Sequence, residues 1–370
     1  MSVLNQVKDD YVIRRYEEGD LSGFLSLDRA VFRRHRDEGW FRWKYVDNPY
    51  VDDIPVFVVE KDGEIVGARP FLAFRMRAGS KTVLALQPAD TMVHPDHRRK
   101  GLFTRMTRHA VDHYYDGEPA FCFNFPNQRS RPGYLKLGWQ IVGDRETYYR
   151  IRNPSALLDG DDQFGTRFLD LVMPLTNDVH GMYRSSTTVP ESYSITRYSG
   201  VEQGTLTELY RKNPPDGIHA RRDETFFRWR FASPAWERTT YVASDFGDLV
   251  AGIVVRKRTT SDGVAVVQLA EVVPLVGDES RKHALVCLLD RIVRDYDASD
   301  LISVTDGAIP PAVLARFGFV GDARPPLSWL SDFDCRLVAF PLDSDGWTVG
   351  GTRLCQRSNW HLSFAERDTA

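Results

Sequence analysis

Short alternating stretches of apolar and polar residues run into helix-period stretches twice along this chain. Residues 11–16 read as a strand, and 21–32 follow with apolar positions at helical spacing. Asp20, just before them, is the expected N-cap. Residues 193–198 read as a second such strand, with 206–210 as the helix after it. An aromatic cluster also recurs. Trp40, Phe41, Arg42 and Trp43 precede Pro49, and Phe226, Phe227, Arg228 and Trp229 precede Pro234. After each cluster comes a strand, a Gly-containing turn and another strand. These are 56–60, Asp62-Gly63 and 65–74 in one case, and 240–244, Phe246-Gly247-Asp248 and 249–256 in the other. Three features in the same order, about 185 residues apart, predict two domains of similar fold. The expected bounds are 1–152 and 192–370, with 153–191 as a connector that includes a helix over 167–183.

Composition narrows the field. The chain has 370 residues, 42% hydrophobic and 27% charged, which is enough apolar content for sizeable cores. The 48 basic and 51 acidic residues leave a net charge of -3, which argues against a nucleic-acid-wrapping polycation. No apolar run is long enough to span a bilayer and the N-terminus carries no apolar signal core, so a cytoplasmic protein without membrane partners is expected. Cys122, Cys287, Cys335 and Cys355 form no C-x-x-C pair and have no clustered His, so no metal site is expected. The oligomeric state cannot be read from the sequence.

The most informative stretch is 83–114. An apolar run, 83–86, leads through Asp90 to Met92, Val93 and His94. Pro95, Asp96, His97, Arg98, Arg99, Lys100 and Gly101 follow, and then Leu102, Met106, Ala110 and Val111 recur at helical spacing. A strand, a basic Gly-containing loop and a helix start would aim free backbone N–H groups at one point. Phosphate suits such a site, and Arg98, Arg99 and Lys100 add charge to it.

This stretch resembles the acyl-CoA pyrophosphate loop of the GNAT N-acetyltransferase superfamily, Gln/Arg-x-x-Gly-x-Gly/Ala, with Arg98 and Gly101 on the pattern and Phe103 departing from its last small position. A second family motif, Asn-x-x-Ala-x-x-x-Tyr-x-x-x-Gly-Phe, is met by Asn127, Tyr134 and Gly138, with Ser130 and Trp139 in place of Ala and Phe. The resemblance covers residues 10–150. It implies an α/β (α+β) fold of two tandem GNAT-like domains, each a mixed central sheet flanked by helices. Tandem architecture of this kind is similar to that of the enhanced-intracellular-survival acetyltransferases without their third domain.

The resemblance further implies an N-acetyltransferase that takes acetyl-CoA as co-substrate. Met92, Val93 and His94 would hold the pantetheine arm, and Arg98, Arg99, Lys100, Gly101, Leu102, Phe103, Thr104 and Asn127 the rest of the CoA. Tyr134 would protonate the leaving thiol. Asp90 is the candidate base or amine orienter, with a strand-end hydrogen-bond acceptor as the alternative. Gln87 cannot take a proton usefully, and His94 and His97 read as loop or phosphate contacts.

In the second half, Asp278 and Glu279 stand where phosphate would approach, and Leu314 stands at the tyrosine's place. That half is expected not to bind CoA. Because one half is expected to be inactive, Trp40, Trp43, Trp229 and Trp236 read as packing residues rather than a ligand cage, and Trp360 as part of a terminal strand. A non-catalytic acyl-CoA-binding regulatory module, or a tRNA-dependent aminoacyl transferase of the same double fold, are the alternative functions.

Overall fold

The computed structural model describes residues 10–153, 192–325, 327–330, 335–344 and 346–368. The connector from 154 to 191, including the helix expected at 167–183, lies outside the described residues.

The first half runs β1 (Val12–Arg15), α1 (Leu21–Phe32), the short α2 (Glu38–Phe41), β2 (Val56–Lys61), β3 (Glu64–Ala78), β4 (Lys81–Pro88), β5 (Met92–Val93), α3 (Leu102–Tyr114), β6 (Pro119–Asn124), α4 (Arg131–Lys136), β7 (Gln140–Arg145) and β8 (Thr147–Ile151). The second half repeats this plan with β9 (Tyr193–Ser199), α5 (Gln203–Lys212), β10 (His219–Ala220), α6 (Glu224–Arg230), β11 (Glu237–Asp245), β12 (Asp248–Thr259), β13 (Ala265–Val273), α7 (Glu279–Asp295), β14 (Leu301–Thr305), α8 (Pro311–Arg316), β15 (Val320–Gly321) and β16 (Cys335–Pro341). Asp20 does not cap α1 with its side chain. Its carboxylate is taken up by Arg14, at 2.7 Å, and by the Glu17 N–H.

Both hairpins turn as the sequence pattern requires. Asp62 and Gly63, at φ 52° and 84°, connect β2 to β3, and Phe246 and Gly247, at 49° and 94°, connect β11 to β12. Positive φ at both central residues matches the twist of the flanking strands. Each hairpin carries a one-residue bulge beside its second pair, Glu60↔Ile65 in one and Ser244↔Leu249 in the other.

The main path of the first sheet is β1-β2-β3-β4-β6-β16-β7, and that of the second is β15-β8-β14-β13-β12-β11-β9. A late strand of each half therefore crosses into the other sheet. β16 lies between β6 and β7, while β8 lies between β14 and β15. The chain position after residue 152 thus falls one strand beyond the last one that stays in the first sheet.

The halves also meet through their aromatic clusters. The Trp43 indole donates to the Trp229 carbonyl at 2.8 Å, and Trp229 returns the bond to the Trp43 carbonyl at 3.0 Å. Trp40 and Trp236 are buried as well. Trp360 follows a 3-10 turn and makes only an isolated bridge to Ile218, so the terminal strand expected around it does not form. Among the described residues, no helix is long and apolar enough to cross a membrane.

Candidate active site

The site begins where a strand breaks. β4 and β6 pair in parallel only from Leu84 to Leu86, the last partner being Cys122. Residues 89–91 then step away, with Asp90 at φ 37°, and β5 pairs with β3 instead, Met92 opposite Ala68 and Val93 opposite Gly67. The end of β6 pairs on its other side, Phe123 and Asn124 opposite Ala339 and Val338 of β16. A gap therefore opens between β5 and β6. The His94 N–H bonds Val66 on β3 at 2.9 Å. Strand alternation turns the N–H of Val93 the other way, toward the gap.

Beyond β5 the chain makes a 3-10 turn, Pro95–His97, and enters α3. Gly101 is the N-cap of α3 at φ 74°, with no side chain capping the helix. The first intrahelical bond comes from the Arg105 N–H to the Gly101 carbonyl, which leaves the N–H groups of Leu102, Phe103 and Thr104 without helical acceptors. Arg98, Arg99 and Lys100 are exposed around that end. Arg98 Nε reaches back to the Val93 carbonyl at 3.3 Å, while Lys100 donates to Tyr11, whose hydroxyl also bonds His97 Nδ1 at 2.9 Å. The result is a positive, donor-rich cradle at the mouth of the gap, which fits an anionic pyrophosphate. A polar cleft of about 420 Å³ beside α1, lined by Ser22, Gly23, Ser26 and Glu64, reaches His94.

Tyr134, on α4, is buried. Its hydroxyl accepts from Arg69 Nη1 at 2.8 Å, and the same nitrogen donates to Thr91 Oγ1 at 2.8 Å. The phenol thus sits one guanidinium away from the residue before Met92. Phe103 packs edge-on against Tyr134, with centroids 5.4 Å apart. Its bulk at the family's small position is accommodated by Gly133, where a Cβ would stand 2.5 Å from the Phe103 ring. The departure at Phe103 is therefore matched by a residue without a side chain opposite it. Asn127 spends its side-chain carbonyl on the turn into α4, accepting from the Arg129 and Ser130 N–H groups at 3.1 and 2.9 Å.

Asp90 is held in a charge network. Its side chain is 7% exposed, and it pairs with Lys44, with Arg34 at 2.6 Å and with the Tyr45 hydroxyl at 2.7 Å. Lys44 also binds Asp368, near the C-terminus of the chain, and Arg34 binds Asp28. Burial by itself would push the Asp90 carboxyl up. The Lys44 and Arg34 charges, with hydrogen bonds from Lys44 and Tyr45, hold it well below the usual carboxylate range instead. A carboxylate in that state is a poor proton acceptor, so the geometry favours holding over proton transfer. Gln87 is buried and donates to the Glu366 carbonyl at 2.6 Å.

Arg69, Thr91, Lys44, Arg34 and Asp368 did not stand out in the sequence. Arg69 carried one usable signal, a lone charge inside the otherwise apolar 65–74 run of a central strand. The tail residue had none.

Residues 12–142 match an acetyltransferase (GNAT) domain family. No curated protein sequence matches the chain. Among the solved structures that share its fold are the following three. A GCN5-related N-acetyltransferase from Anabaena variabilis aligns with a TM-score of 0.59 at 10% identity, over 90% of this chain and 73% of the other. One from Kribbella flavida aligns with 0.56 at 16% identity, over 91% and 72%. The Saccharomyces cerevisiae N-myristoyltransferase, with bound myristoyl-CoA and inhibitors, aligns with 0.56 at 11% identity, over 90% and 79%.

Proposed function

Since residues 12–142 form a GNAT domain, we propose that this protein is an acetyl-CoA-dependent N-acetyltransferase acting on a primary amine by direct attack within a ternary complex. The observation that carries the reading is the gap between β5 and β6, continuous with the uncapped N-terminus of α3. A thioester threaded there supplies an activated acyl carbonyl. Leu102, Phe103 and Thr104 offer their N–H groups to the pyrophosphate, with Arg98, Arg99 and Lys100 adding charge. Met92, Val93 and His94 line the pantetheine arm, and Val93 turns its N–H toward the acyl carbonyl side of the gap. Asn127 orders the turn that carries Tyr134. Tyr134 gives its proton to the departing sulfur.

Asp90 acts in this reading as a strut beside the acceptor path, with the ammonium proton lost to water.

The test is a thiol-release assay with acetyl-CoA and a panel of small amines, polyamines, aminoglycosides and peptides, run beside calorimetry of acetyl-CoA. Binding with turnover of at least one amine is expected. Binding without turnover on any amine would favour a regulatory acyl-CoA-binding module, and absence of binding would overturn the proposal.

A further inference from the structure

Arg69 is fully buried on β3, and among the described residues it has no ion-pair partner. Nη1 donates to Tyr134 and Thr91, while Nε and Nη2 have no hydrogen-bond partner. Its guanidinium carbon lies 5.0 Å from the centre of the Tyr134 ring. Among the described residues, several other buried cations have ion-pair or carbonyl partners, and Arg145, whose Nε also lacks a partner, is paired with Asp306. Lys44 has Asp90 and Asp368, Arg222 has Glu271 and Glu366, and Arg281 holds three carbonyls. A buried, partly unpaired guanidinium costs stability, which points to a use other than folding.

The second half shows what that use tracks with. Both hairpins close on equivalent pairs, Lys61↔Glu64 and Asp245↔Asp248, so Arg69 and Ile253 hold the same register position. Thr91 precedes the Met92↔Ala68 pair as Val272 precedes Val273↔Gly252. The Tyr134 carbonyl accepts from the N–H groups of Leu137 and Trp139 as the Leu314 carbonyl accepts from those of Phe317 and Phe319. Arg69, Thr91 and Tyr134 are therefore replaced together by Ile253, Val272 and Leu314, all three in the apolar core. The half that loses the tyrosine loses its two polar companions with it.

We propose that Arg69 is a positioning residue for Tyr134, resting on the acyl-transfer reading above. Because Arg69 donates, Tyr134 Oη accepts, and its own proton is turned away from Arg69. During transfer the amine nitrogen bonds the acyl carbon and the C–S bond breaks. The Tyr134 proton passes to the departing thiolate. Arg69 stabilises the phenolate left behind until the proton released by the new amide nitrogen returns to it through water. Thr91 holds the other face of the shared guanidinium N–H group in register with the strand break.

The experiment compares Arg69→Met, Arg69→Lys, Tyr134→Phe and the Arg69→Met/Tyr134→Phe double variant. Arg69→Met should lower kcat about 100-fold while the calorimetric Kd for CoA stays within about twofold and Tm does not fall. It should cost almost nothing further in the Tyr134→Phe background, and Arg69→Lys should recover part of the loss. Full turnover in Arg69→Met, an equal additional loss in the Tyr134→Phe background, or a fall in CoA affinity matching the fall in kcat would each overturn the proposal. A second readout does not depend on turnover. The Tyr134 13Cζ resonance should move in Arg69→Met, and an unmoved resonance would overturn the inference even if no acceptor amine is found. Failure of the wild-type protein to release thiol would count against the acyl-transfer reading alone.

Discussion

The two halves share a frame down to single residues. In both, one extra residue bulges from the strand that precedes the loop, between Pro88 and Met92 in the first half and between Leu269 and Val273 in the second. Asp90 and Glu271 occupy the same place beyond it, and both are buried carboxylates tied to the C-terminal tail. The halves part at the ligand-facing positions. Gly101 leaves α3 uncapped, whereas Asp278 caps α7 by accepting from the Arg281 N–H at 3.2 Å. Arg281 then crosses to the carbonyls of Pro274, at 2.7 Å, and Ala308, at 2.7 Å, on either side of where the second gap would open. Its guanidinium thus ties together the segments that follow the two strands there. The lesson is one of sorting: what both halves keep is framework, and what only the first half keeps is the proposed chemistry.

That sorting reassigns Asp90. A group retained as Glu271 in a half whose helix end is capped serves the frame, which agrees with its ion pairs. The charge balance differs, however. Asp90 and Asp368 share Lys44, and Asp90 also has Arg34, whereas Glu271 and Glu366 share Arg222. Burial, only partly offset by Arg222 and reinforced by Glu366, pushes Glu271 up to about 7, while Asp90 is driven the other way.

The comparison can be broken at several points. Gly101→Glu places a carboxylate and a strained φ of 74° at the open helix end. Acetyl-CoA affinity measured by calorimetry should fall at least about 1,000-fold, roughly 4 kcal/mol. Asp278→Ala, at the equivalent cap, should leave that affinity within about twofold, and a comparable fall there would mean that the second half binds the ligand. Arg281→Met should cost about 3 kcal/mol in denaturant unfolding, because buried carbonyls lose their donor, again with CoA affinity preserved. Asp90→Asn should cost about 3 kcal/mol, leaving Lys44 and Arg34 short of a charge. A large fall in kcat with no loss of stability would restore Asp90 as a proton acceptor.

The pH dependences should have opposite signs. Asp90 is depressed in the folded state, so its contribution is full above the ordinary carboxylate range and is lost as pH falls toward its folded value. Glu271 is raised, so the folded state holds a proton that the unfolded chain releases near 4.5. Stability therefore falls as pH rises from there through about 7. Glu271→Gln should remove that decline, an effect of about 2.5 kcal/mol read from Tm at pH 5 and pH 8. An unchanged slope would mean that Arg222 neutralises both glutamates.

Much of the site could be read from the chain because its parts are local. Helical periodicity gave α1 at 21–32, and the turn residues gave both hairpins. The basic loop and Gly101 stand within ten residues of β5. Tyr134 stands in a spaced motif, and the second half departs from the pattern at Asp278 and Glu279 in the loop and at Leu314 in the tyrosine's place. Arg69 was missed because its meaning depends on Tyr134, 65 residues away, and a charge in a strand does not announce its partner. The exchange of β8 and β16 was missed because each strand pattern is compatible with either sheet. The roles of Asp368 and Glu366 were missed because a polar tail has no periodicity to read.

The amino-acid sequence by itself determined that the chain repeats a strand, hairpin, loop and helix plan, and that only the first copy carries a basic, glycine-containing loop before its helix. Those features rest on backbone preferences, turn chemistry and side-chain period, which act over a few residues. The tertiary structure alone decided which sheet β8 and β16 each join, which carboxylates share a cation, and that Arg69 meets Tyr134. Those outcomes depend on register and burial among residues far apart in the chain. There, the cost of leaving a charge or a strand edge unpaired in the interior selects one arrangement from several that the local patterns allow.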